Sequence, residues 1–162
     1  MIVYHGSTIE IVSPDNQHSL RHLDFGQGFY VTPVLIQAER WAKRKADLIS
    51  QNYAIINEYE MLDNWQNFNV KIFNDDNIEE WLDFVANCRN GNDLYKNFDL
   101  ISGKVADDKV YRVVNMYLKG IFDKERALKE LKIYENYQQI ALISQQAINE
   151  LLTFKKSIMV NL

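Results

Sequence analysis

The sequence carries one cysteine, Cys88. No disulfide can form within the chain, which fits a reducing compartment. No apolar run is long enough to span a bilayer, so no membrane is expected among its partners. The opening Met1-Ile2-Val3-Tyr4-His5 lacks a basic segment followed by an apolar run. No secretory signal is therefore expected, and the expected localisation is cytoplasmic. A basic excess is missing too: the formal net charge is −4, which leaves no global footprint for nucleic acid. The familiar ligand motifs are also lacking. Gly26-Gln27-Gly28 is neither a phosphate-binding loop nor a dinucleotide fingerprint. Asn74-Asp75-Asp76-Asn77 lacks the spacing and central glycine of a calcium loop. His18 and His22 have i, i+4 spacing but neither the glutamate of the zinc-protease motif nor an evident third ligand. No metal site is expected, and there is no internal repeat, heptad series or low-complexity segment.

What is present suffices for one folded unit. The 162 residues, 47% apolar and 12% aromatic, predict a single domain spanning 1–162 with a substantial core. Residues 1–5 read as a strand, 8–23 as a loop and 29–31 as a short strand. Thr32-Pro33 reads as a helix start, threonine as N-cap and proline at the first helical position. A helix follows over 33–49, with Val34, Leu35, Ala38, Trp41, Ala42, Ala46 and Ile49 on its apolar face. Its basic residues Arg40, Lys43, Arg44 and Lys45 read as a solvated face, and Glu39–Lys43 as an i, i+4 pair contributing about 0.2–0.5 kcal/mol. Strands are expected at 53–61 and 70–73, then a helix at 78–89 with Trp81, Leu82, Val85 and Cys88 inward. Cys88 is thus expected to be a core thiol. Residues 98–106 read as a strand broken or bent at Gly103. Helices capped by Asp107, Asp123 and Ser144 are expected, the last preceded by a strand at 139–143. Thr153 to Val160 reads as a final strand interrupted at Lys155-Lys156. Strands in two groups with helices between them favour α+β over a regularly alternating parallel sheet.

Two stretches carry chemistry. Asp24-Phe25-Gly26-Gln27-Gly28-Phe29-Tyr30-Val31-Thr32 joins a permissive glycine turn to an apolar strand, placing the Tyr30 ring beside a glycine-bared surface where a flat ligand can stack. Val3-Tyr4-His5-Gly6-Ser7 is a strand ending in histidine and glycine. A Tyr-His-Gly-Ser strand end, followed by Gly-Phe-Tyr-Val-Thr and an amphipathic helix, resembles the NAD-binding core of ADP-ribosyltransferases. The branch is the one with His, Tyr and Glu signature positions, shared by diphtheria-toxin-like and poly-ADP-ribose-polymerase-like enzymes. Asp24 to Thr32 with Gln37-Ala38-Glu39-Arg40-Trp41-Ala42 resembles, more closely, a family of small bacterial proteins of unknown function with an ADP-ribosyltransferase-like, toxin–antitoxin character.

The resemblance implies an α+β fold of split, antiparallel-rich sheets with flanking helices around an NAD cleft. It implies NAD as the substrate, a macromolecular acceptor (protein rather than nucleic acid) and a small cognate antitoxin. A toxin of this kind would act inside the cell that makes it, or need another carrier. His5 would hydrogen-bond the adenosine ribose, the Gly6 backbone would hold the nicotinamide amide, and Tyr30 would stack on the nicotinamide ring. Tyr4 and Tyr53 are candidates for a second clamp. Ser7, Gly28 and Phe29 border the same stretches and are expected to contact the dinucleotide. Arg21 either pairs with the NAD pyrophosphate or forms a surface ion pair with Asp24.

The third signature position falls on Gln139, with Gln138 second. Glutamine can donate or accept a hydrogen bond with a ribose hydroxyl but supplies no negative charge. At about 4 Å and an effective dielectric near 20 that charge is worth roughly 4 kcal/mol, about a thousandfold in rate. Three routes stay open. Asp24, Asp107 or Asp108 can compensate; the enzyme can be slow, or rely on the acceptor's own nucleophile; or the domain binds NAD or a partner protein without transfer. Modification of nucleic acid is a further alternative. Asp107 reads first as a helix N-cap. Gln139→Glu is expected to raise the rate if the missing charge is limiting.

Overall fold

A computed structural model describes residues 1–19, 23–133 and 137–162. The fold is mixed α+β, with two sheets and five helices among the described residues. Strand β1 (Ile2–Ser7), β3 (Tyr53–Met61) and β7 (Leu152–Asn161) form one antiparallel sheet in the order β1-β3-β7. Strands β2 (Phe29–Val31), β6 (Gln138–Leu142), β5 (Leu100–Lys104) and β4 (Val70–Ile72) form the other, in the order β2-β6-β5-β4. Only β4 and β5 run parallel. The helices are α1 (Leu35–Leu48), α2 (Ile78–Arg89), α3 (Asp108–Leu118), α4 (Lys124–Leu131) and α5 (Gln145–Leu151). None is long and apolar enough to cross a membrane.

Burial divides the core in three. Val3, Tyr59 and Met61 of the first sheet meet Phe29, Val31, Leu100, Ile140 and Leu142 of the second, with α5 beside them. Helices α2, α3 and α4 pack through Trp81, Leu82, Val85, Val110, Val114 and Leu131 around Phe25 and Phe73. Cys88 belongs to this cluster, and burial pushes its thiol up to about 12, which makes it a poor nucleophile. The third cluster is small: Ala38, Ala42 and Ala46 lay α1 against Ala54 and Ile56 of β3.

Local signals place most elements. Asp107 accepts from the Lys109 and Val110 amides, Asp123 from Arg126 and Ser144 from Ala147, so each caps the helix it precedes. Gly120 ends α3 at φ +70°. The Glu39–Lys43 pair forms at 2.8 Å.

Four expectations need correction. Helix α1 begins at Leu35, after Val34 as N-cap. Thr32 is held by a two-way backbone bridge to Tyr4 and donates its hydroxyl to the Gln138 carbonyl at 2.7 Å, so it belongs to the sheet. Leu35 and Ile49 are exposed, and the alanine stripe faces inward. Gly103 causes no break: it is the next-to-last residue of a continuous β5 and makes room for Phe25, whose ring end would lie 3.0 Å from an added Cβ. Strand β7 runs unbroken through the two lysines. Its register steps from Glu58–Lys156 to Tyr59–Phe154, so Lys155 is the extra residue of a bulge.

Candidate functional site

The two sheets touch at one rung. Tyr4 and Thr32 exchange both backbone hydrogen bonds, at 2.8 and 2.9 Å. In a continued antiparallel ladder the next rung would pair Gly6 with Tyr30. Side chains take the two carbonyls instead. His5 Nδ1 lies 2.6 Å from the Tyr30 carbonyl, and Lys45 Nζ donates to the Gly6 carbonyl at 2.7 Å. The strands therefore part here, and a cleft of about 740 Å³ opens between them. That size suits a ligand of nucleotide dimensions. His5, Ser7, Asp24, Gly28, Phe29, Tyr30 and Gln139 all line it.

Residues 8–19 form one wall of the cleft, and the sheet pins them in place. Asn57, fully buried, accepts from the Ile11 amide and donates to the Ile9 carbonyl. Tyr59 donates to the Ile11 carbonyl at 2.5 Å, and Asn16 donates to the Ile143 carbonyl at 2.6 Å.

A carbonyl can only accept, so the short His5–Tyr30 contact assigns the imidazole proton to Nδ1. Nε2 is left as an acceptor, 3.4 Å from Lys45 Nζ. The ring stacks on Phe29 with centroids 4.3 Å apart and planes 17° from parallel. Burial, and next the Lys45 ammonium, push the His5 pKa down to about 3. The imidazole is thus neutral at physiological pH, fixed in one tautomer, with an acceptor nitrogen for a ligand hydroxyl.

Tyr30 reaches back into its own turn. Its hydroxyl donates to the Gly26 carbonyl at 2.7 Å and accepts from the Phe25 amide at 3.0 Å. Burial, and then Asp24, hold its pKa well above the usual phenol value. The hydroxyl is committed, and the ring is what Tyr30 offers the cleft. Gly26 sits at φ +76° against Tyr95, and Gly28 approaches the Leu142 carbonyl so closely that a Cβ would lie 2.8 Å from it. Ser7, buried, accepts from the Ile9 amide and closes the turn after β1. Gly6 is buried against α1 and is not part of the cleft lining; its carbonyl is held by Lys45.

Gln139 is 3% exposed and Asp24 5%. The Gln139 amide donates to Asp24 Oδ2 at 2.8 Å and to the Lys104 carbonyl at 3.1 Å. Asp24 Oδ2 also accepts from the Ala106 amide at 2.8 Å, while Oδ1 is held by both Nε and Nη2 of Arg89. Arg89 in turn stacks on Tyr111, 4.1 Å from ring centroid to guanidinium carbon. One buried network thus joins the glycine turn, the β5 end, β6 and α2. With its amide hydrogens spent on Asp24 and Lys104, Gln139 has its carbonyl oxygen to offer a ligand.

Several side chains that line the cleft lay outside the sequence reading. Arg44 and Lys45, expected on a solvated face, line the cleft with Trp41 and Leu48, a stripe at i, i+3, i+4 and i+7. That spacing is the signal that was available. Arg89 had none, because its partner is 65 residues away. Trp41 is the further aromatic of the cleft lining: Tyr4 packs beside the alanine cluster, Tyr53 is exposed at the start of β3, and neither lines the cleft. Asp107 is spent as the α3 cap, and Asp108 holds Arg44 at 2.7 Å. The Arg21 assignment lies outside the described residues, as does His22; His18 sits 2.7 Å from Asp15. Among the described residues no group of three or more His, Cys, Asp or Glu is gathered as a metal site.

A family model described as "Protein of unknown function (DUF3990)" matches residues 1–154. No curated protein and no solved structure matches significantly.

Proposed function

From a chain that belongs to the DUF3990 family, and from the cleft it builds, we propose an NAD-dependent ADP-ribosyltransferase of a His-Tyr-Gln type. One observation carries this reading: His5, Tyr30 and Gln139, from strands of both sheets, line the same cleft. His5 Nε2 would accept a ribose hydroxyl, and Tyr30 with Trp41 would flank the nicotinamide ring. The Gln139 carbonyl would orient the second ribose. As the glycosidic bond breaks, nicotinamide leaves with the bonding pair and positive charge spreads over that ribose. The acceptor's nucleophile then bonds to the anomeric carbon and gives up its proton. Asp24 brings a carboxylate to within one hydrogen bond of Gln139, which answers the charge that glutamine lacks. The protein is proposed to act on a macromolecule, under restraint by a small antitoxin-like partner.

The test is NAD binding by calorimetry beside transfer of label from NAD to protein or nucleic acid in a cell extract. His5→Ala and Tyr30→Ala are each expected to weaken NAD by about 10- to 100-fold, the Tyr30 change through loss of a ring stack worth about 1–3 kcal/mol. Circular dichroism checks that the variants are folded. Wild-type affinity in both would remove the assigned clamp.

A second reading has its own observation. Arg89 offsets the Asp24 charge, which favours a domain that binds NAD without rapid transfer. Gln139→Glu bears on both. The introduced carboxyl would face two acceptors, Asp24 and the Lys104 carbonyl, and so would take up a proton, its pKa raised by the like charge. The expected result is no gain in rate and a stability loss of about 1–3 kcal/mol near neutral pH. The sign follows from linkage: the folded variant binds more protons above about pH 4.3. Its deficit against wild type is therefore smallest near that pH and grows as pH rises. Guanidinium unfolding at acid and neutral pH measures it, and a rate increase without a stability loss would contradict the network described.

A further inference from the structure

Among the described cations of the cleft, Lys45 alone lacks a counter-charge. Among the groups that line the cavity with it, Glu10 accepts from the Ser157 hydroxyl, Asp15 is held by His18, and Asp24 by Arg89. Arg44, its neighbour on α1, is paired with Asp108 of α3. His5 is a neutral imidazole and Tyr30 a neutral phenol. Lys45 itself donates only to neutral acceptors, the Gly6 carbonyl at 2.7 Å and, at 3.4 Å, His5 Nε2, and no carboxylate among the described residues lies within ion-pair distance of it. Protein atoms crowd the ammonium and lower its pKa to about 8, although the residue as a whole stays exposed. An ammonium partly stripped of water and left without an anion is costly, and an arriving anion relieves that cost.

We propose that Lys45 is the anion-binding residue of the cleft and takes a phosphate oxygen of a nucleotide pyrophosphate, exchanging the Gly6 carbonyl for the ligand. The cavity is far larger than a simple anion needs, and the aromatic residues Tyr30 and Trp41 line it with the cation, which suits a ligand with flat ends and a charged middle. The choice of a pyrophosphate rests on the NAD reading above, whereas the anion site does not.

Calorimetry with NAD and with inorganic pyrophosphate, on wild type, Lys45→Met and Lys45→Arg, tests this. Loss of a charge-assisted contact is expected to weaken both ligands by about 10- to 100-fold in Lys45→Met. Lys45→Arg is expected to stay within a few-fold of wild type. The phosphodiesters of NAD do not titrate near neutrality, so the wild-type affinity for NAD is expected to fall about tenfold between about pH 7 and about pH 9, as the free ammonium loses its proton. In Lys45→Arg that fall disappears, because guanidinium keeps its proton. If NAD binds wild type and Lys45→Met equally, the Lys45 assignment fails and the NAD reading stands. If pyrophosphate binds in a Lys45-dependent way and NAD does not bind, the anion site stands and the NAD reading fails. If neither ligand binds wild type, both fall.

Discussion

Replacing Asp24 with alanine is expected to cost the fold about 3–5 kcal/mol, enough to consume a large share of the stability of a chain this size. The carboxylate satisfies four donors at once: Arg89 Nε and Nη2, the Gln139 amide and the Ala106 backbone amide. Alanine would leave a guanidinium with a side chain 18% exposed facing the site of a carboxylate that was 7% exposed. Removing one member of a buried pair is worse than removing both, because the survivor keeps its desolvation cost. Asp24→Ala combined with Arg89→Met is therefore expected to be more stable than Asp24→Ala alone, although it removes more interactions. Urea unfolding of wild type, both single variants and the double variant measures the difference. A loss below about 1 kcal/mol in Asp24→Ala would show that water replaces the carboxylate with little penalty. The single variant should also lose the fixed orientation of Gln139, since one of its two acceptors disappears.

This network shows where reading the sequence stops. The caps at Asp107, Asp123 and Ser144 were legible because each side chain bonds within three residues of itself. Helix α2 was legible from end to end because Trp81, Leu82, Val85 and Cys88 repeat at the helical period. His5 and Tyr30 stood out beside glycines, and Gln139 came from the resemblance; β1 runs on to Ser7, so His5 lies inside its strand, and Tyr30 is the middle residue of β2. Their sharing of a cleft was an expectation until β2 was seen to pair with β6 and to meet β1 at one rung. The partners of Asp24 lie 65, 82 and 115 residues away, and no local pattern announces them. Asp24 was one of three carboxylates considered beside Gln139; only its position in the fold separates it from Asp107, which serves as a cap.

Helix α1 was legible in part: the alanines of its expected apolar face are buried, whereas the larger Leu35 and Ile49 of that face are exposed. Leu35, Ile36, Leu48 and Ile49 are all exposed, while the smaller Ala38, Ala42 and Ala46 are fully buried. Area burial alone prefers the larger side chains. What decides is how near the helix can come to β1, and that depends on Gly6, more than thirty positions earlier in the chain. The same rotation turns Trp41 and Lys45 to the cleft. The orientation of α1 therefore links a glycine in the first strand to the charge of the site.

Gly6→Ala puts that link to the test, with an expected loss of more than about 3 kcal/mol, beyond the usual range for an added methyl in a packed core. A Cβ at this position would lie 2.2 Å from the Ala38 carbonyl oxygen and 2.6 Å from the Ala42 amide nitrogen. Both are backbone atoms of α1, so no side-chain rotation can clear them. The helix would have to withdraw from the sheet, opening the alanine cluster and carrying Trp41 and Lys45 with it. Gly120→Ala provides the contrast. That position has φ +70° but nothing within 4 Å of an added Cβ, so its cost is backbone strain alone, about 1–2 kcal/mol. Thermal and urea unfolding rank the two. If Gly6→Ala proves as mild as Gly120→Ala, the close seating of α1 is not what sets the cleft wall. If Gly6→Ala is severe and the surviving folded fraction also loses ligand affinity, the seating of α1 and the position of Lys45 are one property of the fold.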